Sequence, residues 1–224
     1  MLFVACSGFP VPVSRYWGLF NSVEISDTEL GIPGAGTVRR WLRESPEGFA
    51  FTALAPKEIG ESGFRRTKEN MSLIVAFAEL AETLGARAIV FQAPEEFAPT
   101  RAAKTAIKSF LGWLPEGLPA VVLDLPSWKT SEVEKVVDKL GAAVAYDPLL
   151  DEAPTNKELV YARLPGPAGH RSRYDEDSVE RIHTHCEAID AKLAFCVFRN
   201  IDMQANGSAL REKLEAEPED DEQE

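Results

Sequence analysis

Short apolar runs and longer amphipathic stretches alternate along this chain. The runs lie at 2–6, 22–26, 49–54, 86–91, 120–123, 142–146, 159–163 and 193–198. Most are rich in β-branched or aromatic residues and apolar at consecutive positions, as parallel strands covered on both faces should be. Between them, 37–43 sets Val38, Trp41 and Leu42 on one helical face and Arg39, Arg40 and Arg43 outside. Segment 68–84 repeats Leu73, Ala76, Phe77, Leu80, Ala81 and Leu84, and Gly85 follows where a C-cap belongs. Segments 100–114 and 131–140 are similar, and Gly141 closes the second. Segment 175–191 opens Asp-x-x-Ser and turns Val179, Ile182, Cys186 and Ile189 inward.

This alternation predicts the α/β class. Eight units predict a single (β/α) barrel of TIM type over 1–211, with eight mostly parallel strands. One unit is irregular: 147–158 carries Pro148, Pro154 and four acidic residues, which predicts a loop in place of a helix. There is no internal repeat and no linker.

The 224 residues and 45% apolar content fit one domain with a substantial core. No apolar run approaches the roughly 18 residues that cross a bilayer. The first residues, Met1 to Cys6, lack a basic leader region and read as the first strand. A cytoplasmic protein with no membrane partner is expected. The formal charge is −12, of which residues 211–224 hold −6. A solvated acidic tail is therefore expected over 212–224. The acidic balance argues against nucleic acid as a partner. Cys6, Cys186 and Cys196 form no CxxC pair and read as buried thiols. Whether Cys6 and Cys196, on the first and last strands, approach closely enough to pair is open at this level.

Chemistry in such a barrel sits where strands run into the following loops. The polar residues there are Ser7, Glu24 with Ser26, Lys57, Gln92, Asp124, Asp147, Arg163, and Arg199 with Asn200. Glu24 stands out. Alternation puts Ser22, Glu24 and Ser26 on one face of a strand, and a buried carboxylate needs a partner, a proton or solvent. Glu24 is the acid–base candidate, and Arg163 and Arg199 are candidate anion clamps. A mutually paired rosette plugging the barrel mouth is an equally available reading. Two basic loops, Arg65-Arg66-Thr67-Lys68 and His170-Arg171-Ser172-Arg173-Tyr174, should lie on the same barrel face, as a lid or clamp for an anionic ligand or as exposed loop charge. His183 and His185 point apart on a helix, so no metal site is expected there. No phosphate-loop, nucleophile-elbow or zinc-protease motif is present, and no cofactor is expected.

Several of these segments carry a resemblance. Phe20-Asn21-Ser22-Val23-Glu24-Ile25 is similar to the "FNTVEIN" core of the YecE-like family, domain of unknown function 72. Ser7-Gly8-Phe9 resembles its "SGW" loop, Thr37-Val38-Arg39-Arg40-Trp41 its "TVxxW" helix, and Phe91-Gln92-Ala93-Pro94 its "FQLPP". Pro126-Ser127-Trp128 resembles "HPSW", Tyr161-Ala162-Arg163 "YxRxHG", and Phe198-Arg199-Asn200 with Ala205-Asn206 the closing "FNN…NA". The matches are collinear. They imply a TIM-type barrel with no assigned activity, and add Trp128, Tyr161 and Asn206 to the ligand-binding candidates. The chain departs from the pattern at Leu54, Val122, Leu125 and Pro165, where Lys, Glu, His and a second His stand in the family, and at Asp124. Three functions remain open: an enzyme or degenerate enzyme for an anionic or phosphorylated small molecule, a non-catalytic binding or scaffold protein, and, third, a nucleic-acid-processing enzyme.

Overall fold

The structure, a computed structural model, describes residues 1–137 and 139–216. Eight strands follow the eight apolar runs: β1 (Leu2–Cys6), β2 (Ser22–Ile25), β3 (Ala50–Leu54), β4 (Ala88–Gln92), β5 (Ala120–Asp124), β6 (Ala142–Tyr146), β7 (Leu159–Leu164) and β8 (Leu193–Phe198). All are parallel, in the order β1-β8-β7-β6-β5-β4-β3-β2. The ring meets itself at a seam between β1 and β2. One bridge crosses it, Ser7 to Glu24, with the Gly8 amide donating to the Glu24 carbonyl at 2.7 Å. Below it, the Asn21 side chain accepts from the Val4 amide at 2.9 Å.

The helices are α1 (Val13–Tyr16), α2 (Ala35–Glu44), α3 (Lys57–Glu61), α4 (Lys68–Leu84), α5 (Arg101–Trp113), α6 (Thr130–Val137), α7 (Glu176–Glu187) and α8 (Met203–Glu215). Side-chain caps start α4, α5 and α7. Thr67, Thr100 and Asp175 accept from the amides of Asn70, Ala103 and Ser178, and Gly85 ends α4 in the left-handed conformation. Between β6 and β7 there is no helix, as the sequence predicts. Two differences concern α7 and α8. α7 stops at Glu187, four residues before the predicted end. α8 runs to Glu215, so residues 212–215, read as tail, are helical, with Leu214 packed on the core. Residues 217–224 of the expected tail lie outside the described residues.

Strand alternation divides two cores. Val23 and Ile25 face the helices, while Ser22 and Glu24 face the lumen. The lumen is otherwise apolar at its lower levels. Phe3 stacks on Phe195 at 5.3 Å, beside the small residues Ala50, Ala88 and Ala143. Leu54 and Val122, two of the departures, belong to this apolar filling, and Leu125 packs in the outer core. The three cysteines are buried free thiols, and Cys196 is in register with Val4, not Cys6. Among the described residues no helix is long and apolar enough to cross a membrane.

Candidate functional site

Above the apolar levels, inward-facing positions of β2, β3, β4, β5 and β7 are polar. Glu24, Thr52, Gln92, Asp124, Tyr161 and Arg163 thereby converge at the carboxyl end of the barrel. Glu24 is fully buried, and its carboxylate accepts three donors. Oε1 takes Ser7 Oγ at 2.7 Å and Arg163 Nη2 at 2.7 Å, and Oε2 takes the Tyr161 hydroxyl at 3.0 Å. Thr52 sits 2.8 Å from the Tyr161 oxygen. On its other side Arg163 donates from Nη1 to Gln92 Oε1 at 3.2 Å and to Asp124 Oδ2. Its Nε is buried with no protein partner among the described residues.

The electrostatics follow from this packing. Burial opposes the charge on Glu24, but Arg163 and Arg199, with hydrogen bonds from Arg163 and Ser7, outweigh it and hold the carboxyl below its ordinary 4.5. Burial likewise opposes the charge on Arg163, and Glu24 and Asp124 outweigh it and raise the pKa. Burial and the adjacent Glu24 charge push the Tyr161 hydroxyl up, so it is a neutral donor. A carboxylate whose folded pKa is lowered contributes stability above its unfolded pKa, lost as pH falls through the folded value. The melting temperatures of wild type and Glu24→Gln, well separated at neutral pH, should therefore converge as pH falls below 4.5. A constant separation down to acid pH would contradict this pairing.

Over the cluster lies a cavity of about 520 Å³, closed on one side by the loop after β7. Arg163, Asp124 and Gln92 form part of its floor, and Trp128 part of its wall, stacked on Phe97 and donating to the Phe97 carbonyl at 2.6 Å. Arg199, 24% exposed, enters from the end of β8. Its guanidinium makes no hydrogen bond among the described residues, and its ion pair with Asp124 is loose, at 3.9 Å. Burial and the neighbouring Arg163 lower its pKa, against the pull of Asp124 and Glu24. Asp147 and Asp151, from the segment after β6, line the same cavity.

The sequence-level candidates thus divide. Ser7, Glu24, Gln92, Asp124, Tyr161, Arg163 and Arg199 come together, and Trp128 joins them at the wall. The partly solvated Glu24 expected of an acid–base residue is not observed, because the carboxylate is sealed and does not line the cavity. Ser26 packs against Gly8 outside the cluster. Asn200 and Asn206 do not line the cavity either. Asn200 donates to Asn206 Oδ1 at 2.8 Å, and Asn206 to the Tyr174 carbonyl at 3.1 Å, so the pair fastens the loop after β7 to α8. The Tyr174 hydroxyl in turn accepts from the Gly166 amide at 2.8 Å and shapes the cavity roof. The basic loops do not supply a clamp. Arg173 pairs with Asp202 at 3.0 Å, and Arg65 lies in a separate groove beside Phe97. Of His183 and His185, the second meets the Tyr146 hydroxyl at 2.5 Å and the first lies near Glu180 and Glu187. Among the described residues no three His, Cys, Asp or Glu side chains are grouped to hold a metal. Thr52, Asp151 and Tyr174 were missed as site residues. A threonine inside the apolar run Ala50-Phe51-Thr52-Ala53-Leu54 is the one signal that could have flagged the first.

Eight parallel strands with helices outside and a polar cluster and cavity at their carboxyl ends define a TIM-type barrel. The chain belongs to the DUF72 family, described as a protein of unknown function, whose family model matches residues 12–223. Crystal structures of DUF72 proteins from Enterococcus faecalis and Thermotoga maritima share the fold. The first has a TM-score of 0.78 at 17% identity over 97% of each chain, the second 0.73 at 17% over 96% of this chain and 100% of the other. A xylose isomerase domain containing protein from Salmonella typhimurium has the same barrel, with a TM-score of 0.62 at 15% identity over 94% of each chain. A comparison with curated proteins finds no match.

Proposed function

We propose that this barrel binds a small molecule bearing an anionic group in the cavity at its carboxyl end, with Arg199 as the anchor. The observation that carries the reading is the state of Arg199. It is a mostly buried guanidinium beside a second guanidinium, it lacks a hydrogen bond among the described residues, and it lines the cavity. Its fork of donors suits a carboxylate or phosphate. Arg163 is held by Glu24 and Asp124 and forms the floor. The volume falls in the range of small-ligand sites. The non-catalytic form of this reading is favoured over an enzyme, because Glu24 is sealed and Leu54 and Val122 are apolar where the resemblance calls for polar groups.

The test is thermal melting with glycerol 3-phosphate, and with glycerol at matched ionic strength. The phosphate ester should raise the melting temperature in a concentration-dependent way. Arg199→Ala should weaken that response at least about tenfold, or about 1.4 kcal/mol. Equal responses in wild type and Arg199→Ala would overturn the assignment.

A further inference from the structure

The charges around the cavity do not suit an anion alone. Arg163 and Arg199 stand against Asp124, Asp147 and Asp151 in the lining, with Glu95 at the rim. Arg163 is also neutralised from below by Glu24, at 2.7 Å. Beyond the Arg163–Asp124 pair, the charged residues lining the β6 side of the cavity are therefore all acidic.

The placement of those two carboxylates is set by a turn. The Asp147 carbonyl accepts from the amides of Leu150 and Asp151, at 3.0 and 2.9 Å. This is a single helical turn that replaces the helix missing from this unit, and residues four apart on such a turn share a side. Asp147 also accepts the Leu149 amide through Oδ1 at 2.9 Å, which fixes its side chain. No cation pairs with either carboxylate within ion-pair distance among the described residues. Arg181 of α7 acts on Asp147 through space, and donates from Nη2 to the Leu149 carbonyl at 3.4 Å. Burial first, and then the charge of Asp151, raise the Asp147 pKa, so the pair is held with its repulsion only partly relieved.

We infer that the ligand of this cavity is zwitterionic: its anionic group meets Arg199, and a protonated amine at its other end meets Asp147 and Asp151. An ammonium group relieves the carboxylate repulsion, as the anion relieves the repulsion between Arg199 and Arg163. Each half thus supplies what its wall lacks. Trp128, after β5, adds an aromatic face to the same lining, suited to a carbon skeleton or a sugar ring. Amino-sugar phosphates and ω-amino acids have this chemistry.

This inference rests on the Arg199 reading, and the experiment separates the two. Affinities would be measured by calorimetry for glucosamine 6-phosphate and 4-aminobutyrate, with glycerol 3-phosphate and putrescine as controls that carry charge of one sign only. At least one zwitterion should bind tenfold or more tightly than both controls. Asp151→Asn should remove that advantage while leaving glycerol 3-phosphate binding unchanged or stronger, and Arg199→Ala should remove the response to glycerol 3-phosphate and to the zwitterions. If glycerol 3-phosphate binds as well as the zwitterions, the inference falls and the anion reading stands. If only putrescine binds, and Asp151→Asn abolishes it, the acidic subsite is upheld and the Arg199 reading falls. If no probe binds, both fall.

Discussion

Glu24→Gln should lower stability by about 3–5 kcal/mol, the usual cost of breaking a fully buried ion pair from one side. The amide keeps the shape and can still accept from Ser7 or Tyr161. It cannot hold the charge of Arg163, which is 3% exposed and would be left with Asp124. For a chain of this size that is a fall in melting temperature of roughly 6–20 °C. The double substitution Glu24→Gln, Arg163→Gln should cost less than the two singles together, because the Glu24–Arg163 pair is counted in both singles and lost only once in the double. A melting temperature within about 2 °C of wild type, under one kcal/mol by the same scaling, would mean that the carboxylate is not sealed.

Gly60→Ala should be nearly as damaging, at about 3 kcal/mol or more, the upper end for overpacking. Gly60 lies in α3, which crosses the end of β4 so closely that a Cβ would sit 1.9 Å from the Gln92 carbonyl oxygen and 3.0 Å from its carbon. Both obstacles are backbone, so no rotamer change relieves them. The displaced strand end would carry Gln92 away from Arg163. Gly36→Ala, in α2 with open space around it, is the control and should be neutral or slightly stabilising. The check is the urea midpoint of each variant, with the slope unchanged. Equal midpoints for Gly60→Ala and wild type would show that α3 moves aside without cost.

The barrel is legible in the sequence because every strand but the alternating β2 is a largely apolar run bounded by polar or glycine-rich turns. Even the offset at β4 has a local cause: Gly85 ends α4 in the left-handed conformation and the Ala86 amide bonds back to Ala81, so the strand begins at Ala88 rather than 86. Short or weakly signalled helices escape. α3 is five residues with a glycine inside, and α8 starts at Asp202 without a capping hydrogen bond, over a stretch containing Asn206 and Gly207. For the site, strand-end position was enough to find Glu24, Gln92, Asp124, Arg163 and Arg199. Depth was not legible. Whether a strand-end carboxylate faces solvent or a buried guanidinium depends on a partner 139 residues away. Strand-end position draws Asn200 into the site and resemblance draws Asn206, whereas their packing makes them loop fasteners.

The seam between β1 and β2 bears on how the chain folds as it is made. β1 shares one bridge with the strand that follows it, but runs in full register with β8, from Leu2–Ala194 to Cys6–Phe198. At ribosomal speeds of about 5–20 residues per second, the partner strand emerges on the order of 10–40 s after β1. Through that interval Leu-Phe-Val-Ala-Cys is an apolar strand with an unfilled edge. Ring closure is thus a late event, and nascent chains halted before β8 should be the species that chaperones hold.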